Sequence, residues 1–309
     1  MPQVISYQQP ADPFAQTQPV ERIDPLARFE RAERRGKRIR RGLGCSVFIL
    51  LALAVLAIYF LAPGRTNLLV LGIDRAPEHT NMSRSDTIML VTVVPIKPTV
   101  GLLSIPRDLW VAIPGQGENR INTIHFFAEI DHPGSGPATT ARVVSDLFKV
   151  PVRYTLRLRF DGVRDIVNAM GGVDINLPEM MGGLEAGQHH LNGDQALTFV
   201  RDRKDTDDFF RTNQQRVFVE AVVRQMLKPV TWIRLPVVLA AVNRTVDTNI
   251  PAWQWPRLAF ALLRTGRDGI DARPISREMV QPFVTSDGAD VLLPLWDKIN
   301  PLVDELFRK

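Results

Sequence analysis

Five groupings of arginine and aspartate in this 309-residue chain stand at or near the ends of candidate strands and helices: Asp74-Arg75, Arg84-Ser85-Asp86, Arg107-Asp108, Arg201-Asp202-Arg203 and Asp207-Asp208-Phe209-Phe210-Arg211, the last followed by Gln214 and Gln215. Guanidinium forks match phosphate oxygens two bonds at a time. Helix N-termini add backbone donors and a partial positive charge. Two carboxylates such as Asp74 and Asp86 suit a hard cation like Mg²⁺, which usually takes only one or two protein carboxylates beside the phosphate oxygens that it neutralises. The chemistry such a set points to is phosphate binding or phosphoryl transfer. Each group also has a plainer reading. Arg201 and Arg203 would serve equally as a solvated face, Asp74 as a turn cap, and Asp108 as a partner for Arg107. Other chemistries lack their signatures. The chain has no Walker-type phosphate loop, no serine nucleophile elbow and no His-Glu-x-x-His zinc motif. His189 and His190 are adjacent, so their side chains diverge; a surface loop is the expected setting. The single cysteine, Cys45, excludes an intrachain disulfide and a thiolate metal cluster.

The elements that must position these groups follow an α/β pattern from Asn67 onward. Asn67–Gly72, Thr87–Val94 and Val100–Ile105 are apolar, β-branched runs of the kind that form buried strands. The first acid pair and Arg107 fall at their ends, where open α/β sheets place ligands. Thr139–Lys149 predicts a helix. Tyr154–Phe160 alternates apolar residues with Thr155, Arg157 and Arg159, the pattern of a half-exposed strand. Gly162–Met170 predicts a short helix ended by Gly171-Gly172, with a strand over Val173–Leu177. Gln195–Arg201 fits a strand or a short helix. Thr212–Leu227, Ile233–Val242 and Trp255–Leu263 predict helices. Trp110, Trp253, Trp255 and Trp296 are expected in packing, and Gly162, Gly171, Gly172 and Gly193 in turns.

Charge and hydropathy divide the chain. The net charge is +5, but residues 1–62 hold 9 of the 38 Lys and Arg and only 5 of the 33 Asp and Glu, so the remainder is nearly neutral. The basic excess therefore gives no reason to expect nucleic acid. Residues 1–42 are a polar, Pro- and Gln-rich tail ending in a basic run from Arg28 to Arg41. Leu43–Ala62 carries no charge for twenty residues, which at ~1.5 Å per residue spans the roughly 30 Å hydrocarbon core. A single membrane helix is expected, with the basic side cytoplasmic and residues 63–309 outside. Phe60-Leu61-Ala62-Pro63-Gly64 is a poor signal-peptide cleavage site. Anionic lipid headgroups are the natural partner of the basic run.

The order Leu-Gly-x-Asp (71–74), Arg-Ser-Asp-Thr (84–87), Ser-Ile-Pro-Arg-Asp (104–108), Arg-Ile-Asn (120–122), Phe-Asp-Gly (160–162), Gly-Gly-Val-Asp (171–174), Leu-Asn-Gly-Asp-Gln-Ala-Leu (191–197), Arg-x-Arg (201–203) and Asp-Phe-x-Arg-x-x-x-Gln (208–215) closely resembles the LytR-CpsA-Psr family. Nine motifs in order carry the resemblance, which runs from about Asn67 to Lys309. It implies a three-layer αβα domain around a central mixed β-sheet. It also implies transfer of a glycopolymer phosphate from a polyprenyl-pyrophosphate carrier to peptidoglycan at the outer membrane face. Arg84, Arg107, Arg201, Arg203, Arg211 and Gln215 would clamp the pyrophosphate. Asp74 and Asp86 would hold Mg²⁺ or Mn²⁺, and Asp208 would orient Arg211 or assist proton transfer. The resemblance implies an apolar tunnel for the lipid and allows a pyrophosphatase side activity. A non-catalytic lipid-pyrophosphate scaffold or sensor is the alternative. Two features depart from the family pattern: Phe210 stands where Gly is common, and Asp131–Pro137 holds two Pro and two Gly.

Overall fold

The structure is a computed structural model that describes residues 48–61, 64–73, 81–201, 208–265 and 269–308, with the side chains of 208–212 outside the description. The chain divides into two units, with the boundary between Ala57 and Ile58. Of the apolar run Leu43–Ala62, residues 48–61 form helix α1; 43–47 and 62, with Cys45, lie outside the described residues. No described helix is long and apolar enough to cross a membrane.

Three strands open the main unit: β1 (Thr66–Ile73), β2 (Ser85–Val94) and β3 (Thr99–Ile105). A hairpin of β4 (Trp110–Ile113) and β5 (Gly117–Arg120) leads into α2 (Thr123–Asp131) and α3 (Gly136–Phe148). Strand β6 (Tyr154–Arg159) passes directly into α4 (Phe160–Met170), then a hairpin of β7 (Val173–Leu177) and β8 (Gly187–Leu191). Four helices follow: α5 (Gly193–Arg201), α6 (Asp208–Met226), α7 (Pro229–Ile233) and α8 (Leu235–Thr245). The chain closes with β9 (Val246–Thr248), α9 (Trp255–Thr265), β10 (Ile270–Pro274), the hairpin β11 (Val280–Val284) and β12 (Asp290–Pro294), and α10 (Trp296–Phe307).

The central sheet is mixed, with strand order β10-β3-β2-β1-β6-β9. β2 runs antiparallel to β1 and β3, whereas β6 is parallel to β1 and β10 to β3. The ends of β1, β3, β6 and β10 and the start of β2 therefore share one edge. Residues paired across strands share a face. One face carries Leu69, Leu71, Ile88, Leu90, Leu103 and Ile105 and packs on Val143, Val144 and Phe148 of α3 and on Ile299, Val303 and Phe307 of α10. The other face packs Leu68, Val93, Val100 and Tyr154 on Leu258 and Ala261 of α9, but leaves Val70, Val91 and Leu156 only half-buried in mid-sheet. A third cluster gathers α4, α5, α6, α8 and β7 around Val167, Phe199, Phe218 and Val238.

Several expectations need adjustment. Gln195–Arg201 resolves as helix, within α5, so Arg201 sits at a helix end. His189 and His190 lie on β8 and not in a loop; His190 pairs with Asp174, and His189 with the Glu185 carbonyl. Strand β6 is not half-exposed on its polar side: Arg157 is only 4% exposed. Trp296 packs edge-on against Phe148 at 5.5 Å, whereas Trp253 is exposed.

Candidate phosphate site at the sheet edge

Local geometry turns Asp86 into the rim. Gly72 pairs with Thr87 and Ile73 with Ser85, so Asp86 is an extra residue bulged out of β2. Such bulges re-aim a side chain at a sheet end. Gly72 is required there by close approach. A Cβ at this position would lie 2.7 Å from the Phe160 ring and 2.9 Å from Thr87 Cβ. Phe160 can thus press on the end of β1 and start α4 at the same edge.

Arg107 leaves β3 in a tight turn, with the Leu109 N–H donating to the Pro106 carbonyl at 3.2 Å. Its Nη1 donates to Asp86 Oδ1 at 2.9 Å, and its Nε lies 3.3 Å from Asp108. Arg120 lies 3.0 Å from the other Asp108 oxygen. The backbone of Asn122 ties these loops together, since its carbonyl accepts from Ser85 N–H and its N–H donates to the Arg107 carbonyl. The motif Arg-Ile-Asn thus acts through Arg120, which steadies Asp108, and Asn122, which joins two site segments. Arg84 precedes Ser85 and is exposed.

Across the edge, Arg201 at the end of α5 donates to Asp161 Oδ1 at 3.0 Å, in the first turn of α4. Neither Asp161 nor Arg120 is among the site residues that the sequence points to; the signals for them are the motifs Phe-Asp-Gly (160–162) and Arg-Ile-Asn (120–122). Gln215 is 5% exposed, and its Nε2 is buried with no hydrogen-bond partner among the described residues. A buried donor left unsatisfied costs about 1–3 kcal/mol, so this amide is poised for an acceptor supplied from outside. The neighbouring Gln214 is spent on the Phe199 carbonyl. Asp208 and Arg211 belong to the first turn of α6, about two turns and one turn before Gln215, but their side chains are not described. Asp74 and Arg203 lie outside the described residues.

The rim suits phosphate. Arg107 is 30% exposed and Asp86 14%, and Arg201 is 36% exposed. These pairs are accessible to an incoming anion, and a phosphate would replace a carboxylate as the arginine's partner. Asp86 offers the hard oxygen donors that Mg²⁺ prefers. Among the described residues no group of three or more His, Cys, Asp or Glu could hold a metal, so a cation here would depend on Asp86, the undescribed Asp74 and the substrate's own oxygens. Two clefts, of about 400 Å³ on α4 and α8 and about 620 Å³ between the β7–β8 hairpin and α6, are lined by none of these rim residues.

Beneath the rim lies an ionic cluster in which His125, Glu129 and Arg157 are buried and Asp247 is exposed. Arg157 Nη1 donates to Glu129 Oε1 at 2.6 Å, and its Nη2 to Asp247 at 2.5 Å. His125 Nε2 is 3.2 Å from Arg157 Nη1, and His125 Nδ1 is 2.8 Å from the Ser83 carbonyl. Burial lowers the His125 pKa from its usual value, against the raising effect of the Ser83 carbonyl. Burial would raise the Glu129 carboxyl, but the Gly134 N–H, Arg157 and the Gly136 N–H outweigh it and hold it below the usual range. Those two glycines belong to the unusual 131–137 loop, so Glu129 also anchors that departure.

The family model described as the LytR_cpsA_psr family matches residues 56–305. The chain belongs to this family. Among curated LytR_cpsA_psr relatives, it is 34% identical over 191 residues to the polyisoprenyl-teichoic acid–peptidoglycan teichoic acid transferase TagU of Bacillus mycoides, covering 60% of each chain. It is 31% identical over 190 residues to the same-named protein of Oceanobacillus iheyensis, covering 60% of this chain and 58% of the other. The match therefore spans about three fifths of those relatives. Among solved structures, TagV of B. subtilis superposes with a TM-score of 0.65 at 24% identity, over 80% of this chain and 98% of that one. A structure of TagT bound to LIIa-WTA superposes at 0.63 with 21% identity, over 79% and 91%. These likenesses establish the LytR_cpsA_psr fold with its mixed central sheet.

Proposed function

We propose that this protein transfers a phosphate-linked glycopolymer from a polyprenyl-pyrophosphate carrier to a peptidoglycan hydroxyl. The observation that carries the reading is that the Arg107–Asp86 and Arg201–Asp161 pairs both stand at the sheet edge where β1, β3 and β6 end. Family membership and the names of the TagU relatives support it.

Phosphoryl transfer asks the protein for positioning and charge stabilisation more than covalent chemistry. Arg84, Arg107, Arg201, Arg203, Arg211 and Gln215 would hold the pyrophosphate oxygens. The acceptor hydroxyl oxygen forms a bond to the glycan-side phosphorus, the bridging P–O bond breaks, and polyprenyl phosphate leaves. The hydroxyl proton passes to a carboxylate, for which Asp208 is the candidate, or to solvent. Mg²⁺ or Mn²⁺ held by Asp74 and Asp86 would neutralise phosphate charge. Water in place of the sugar hydroxyl would give pyrophosphatase activity. The half-buried apolar strip Val70, Val91 and Leu156 would give the lipid a path along the sheet face beside α9. Leu43–Ala62 would anchor the chain with residues 1–42 cytoplasmic and 63–309 outside.

The test is incubation of the reconstituted full chain with a polyprenyl-pyrophosphate oligosaccharide, peptidoglycan fragments and Mg²⁺, with mass spectrometry for a phosphodiester-linked product. Product that disappears with EDTA is the expected result. Tight binding without product would favour the scaffold or sensor reading. Asp86→Ala should raise the Mg²⁺ concentration for half-maximal activity; an unchanged titration removes its metal role.

A further inference from the structure

We infer that His125, Glu129 and Arg157 are positioning residues that fix the Arg84–Asp86 segment for pyrophosphate binding. This rests on the phosphate-site reading above. The three side chains are 0%, 2% and 4% exposed, respectively, so none contacts a ligand at the rim. Their reach to the site is through one backbone group. His125 Nδ1 faces the Ser83 carbonyl at 2.8 Å. A carbonyl only accepts, so Nδ1 carries the proton and donates. In the neutral ring Nε2 is then an acceptor, and Arg157 Nη1 at 3.2 Å donates to it. The tautomer is set by its two neighbours.

Helix α2 and its N-cap residue Asn122 thereby grip the segment on both sides of Arg84. His125 holds the Ser83 carbonyl, and the Asn122 carbonyl holds the Ser85 N–H at 3.2 Å. The bulged Asp86 follows immediately. Arg157, fixed on the central strand β6, locks α2 through Glu129 as well as His125, and reaches Asp247 of β9. The charged groups facing His125 are thus Arg157 from β6, Glu129 from its own helix and Asp247 from β9. Stability alone is a weak reason to bury such a cluster, because well-packed apolar residues often do as well. Register between α2 and the segment is something an apolar contact would not specify.

Two His125 variants of the full chain test this. His125→Asn retains an amide N–H able to donate to the Ser83 carbonyl, whereas His125→Phe fills the space without a donor. Hydrogen exchange of a peptide covering 81–87 is read beside peptides from β3 and α10. Binding of inorganic pyrophosphate with Mg²⁺ is titrated in parallel. In His125→Phe, exchange in 81–87 should rise roughly tenfold with β3 and α10 unchanged. Its pyrophosphate affinity should fall about 10-fold, the scale seen when groups supporting a metal site are removed. His125→Asn should restore both towards wild type. Unchanged exchange in His125→Phe, or equal losses in Asn and Phe, overturns the inference. If the Phe variant does not fold, Arg157→Lys, which keeps the charge and loses the fork, is read the same way. If the wild type fails to bind pyrophosphate while exchange in 81–87 still responds to His125→Phe, the transferase reading falls and the grip on the segment stands.

Discussion

Two arginine–carboxylate clusters lie at the same end of the sheet and differ in nearly every physical respect. At the rim, Arg107 with Asp86 and Arg201 with Asp161 are partly open to water. Below it, Arg157 with Glu129 is sealed, at 4% and 2% exposure. An exposed pair contributes about 0–1 kcal/mol, because water and salt compete for both partners. A buried pair has already given up its water, so losing one partner strands the other. The rim pairs are therefore exchangeable, as a ligand site needs. The buried pair is fixed, as a support needs.

Arg157→Met should break this contrast most severely. It leaves the Glu129 carboxylate uncompensated, and urea unfolding should report a loss of about 3–5 kcal/mol. A loss under about 1 kcal/mol would place the buried pair in the same class as the rim pairs. Arg107→Ala should do the opposite. Transfer activity should fall by about 10²–10³-fold, as for removal of one transition-state donor, while the unfolding midpoint stays near wild type. Retained activity would remove Arg107 from the clamp.

The smallest expected effect is on pH. Burial lowers the folded pKa of His125 below 6.5, so the unfolded chain takes up a proton first as pH falls. The His125 contribution is complete above about pH 6.5 and shrinks as pH drops from there towards the lowered folded pKa. Glu129, also lowered from its ordinary value, adds stability with the same sign that is lost in more acidic solution. Urea midpoints at pH 7.5 and 5.5 should therefore differ more in wild type than in His125→Phe. Equal differences would show that His125 does not titrate in the folded state as its surroundings dictate.

Much of the fold was legible because its signals are local. Three apolar runs became β1, β2 and β3 with ends moved by one or two residues, and Gly171-Gly172 stops α4 where it stands. The short elements β4, β5, β8 and β9 were not legible, because three to five residues are too few to carry a periodicity. Gln195–Arg201 stayed ambiguous until Ala196, Phe199 and Val200 met α4 and α6 in one cluster. Within the site, the order of Arg and Asp motifs named the chemistry, but partners were hidden. Asp161 and Arg201 are forty residues apart, and nothing in either segment announces the other.

By itself the sequence determined the residue types at the strand ends, the charge asymmetry of the first 62 residues and the family to which the ordered motifs belong, since each is a property of neighbours along the chain. Only the tertiary structure decided that Asp86 is bulged, that Gly72 admits Phe160, and that Arg157 is interior. Alternation along β6 marks Arg157 as outward-facing in any sheet with one wet side. It is buried because Glu129 from α2 and Asp247 from β9 arrive to neutralise it, and a charge's burial depends on which opposite charges the fold brings to it.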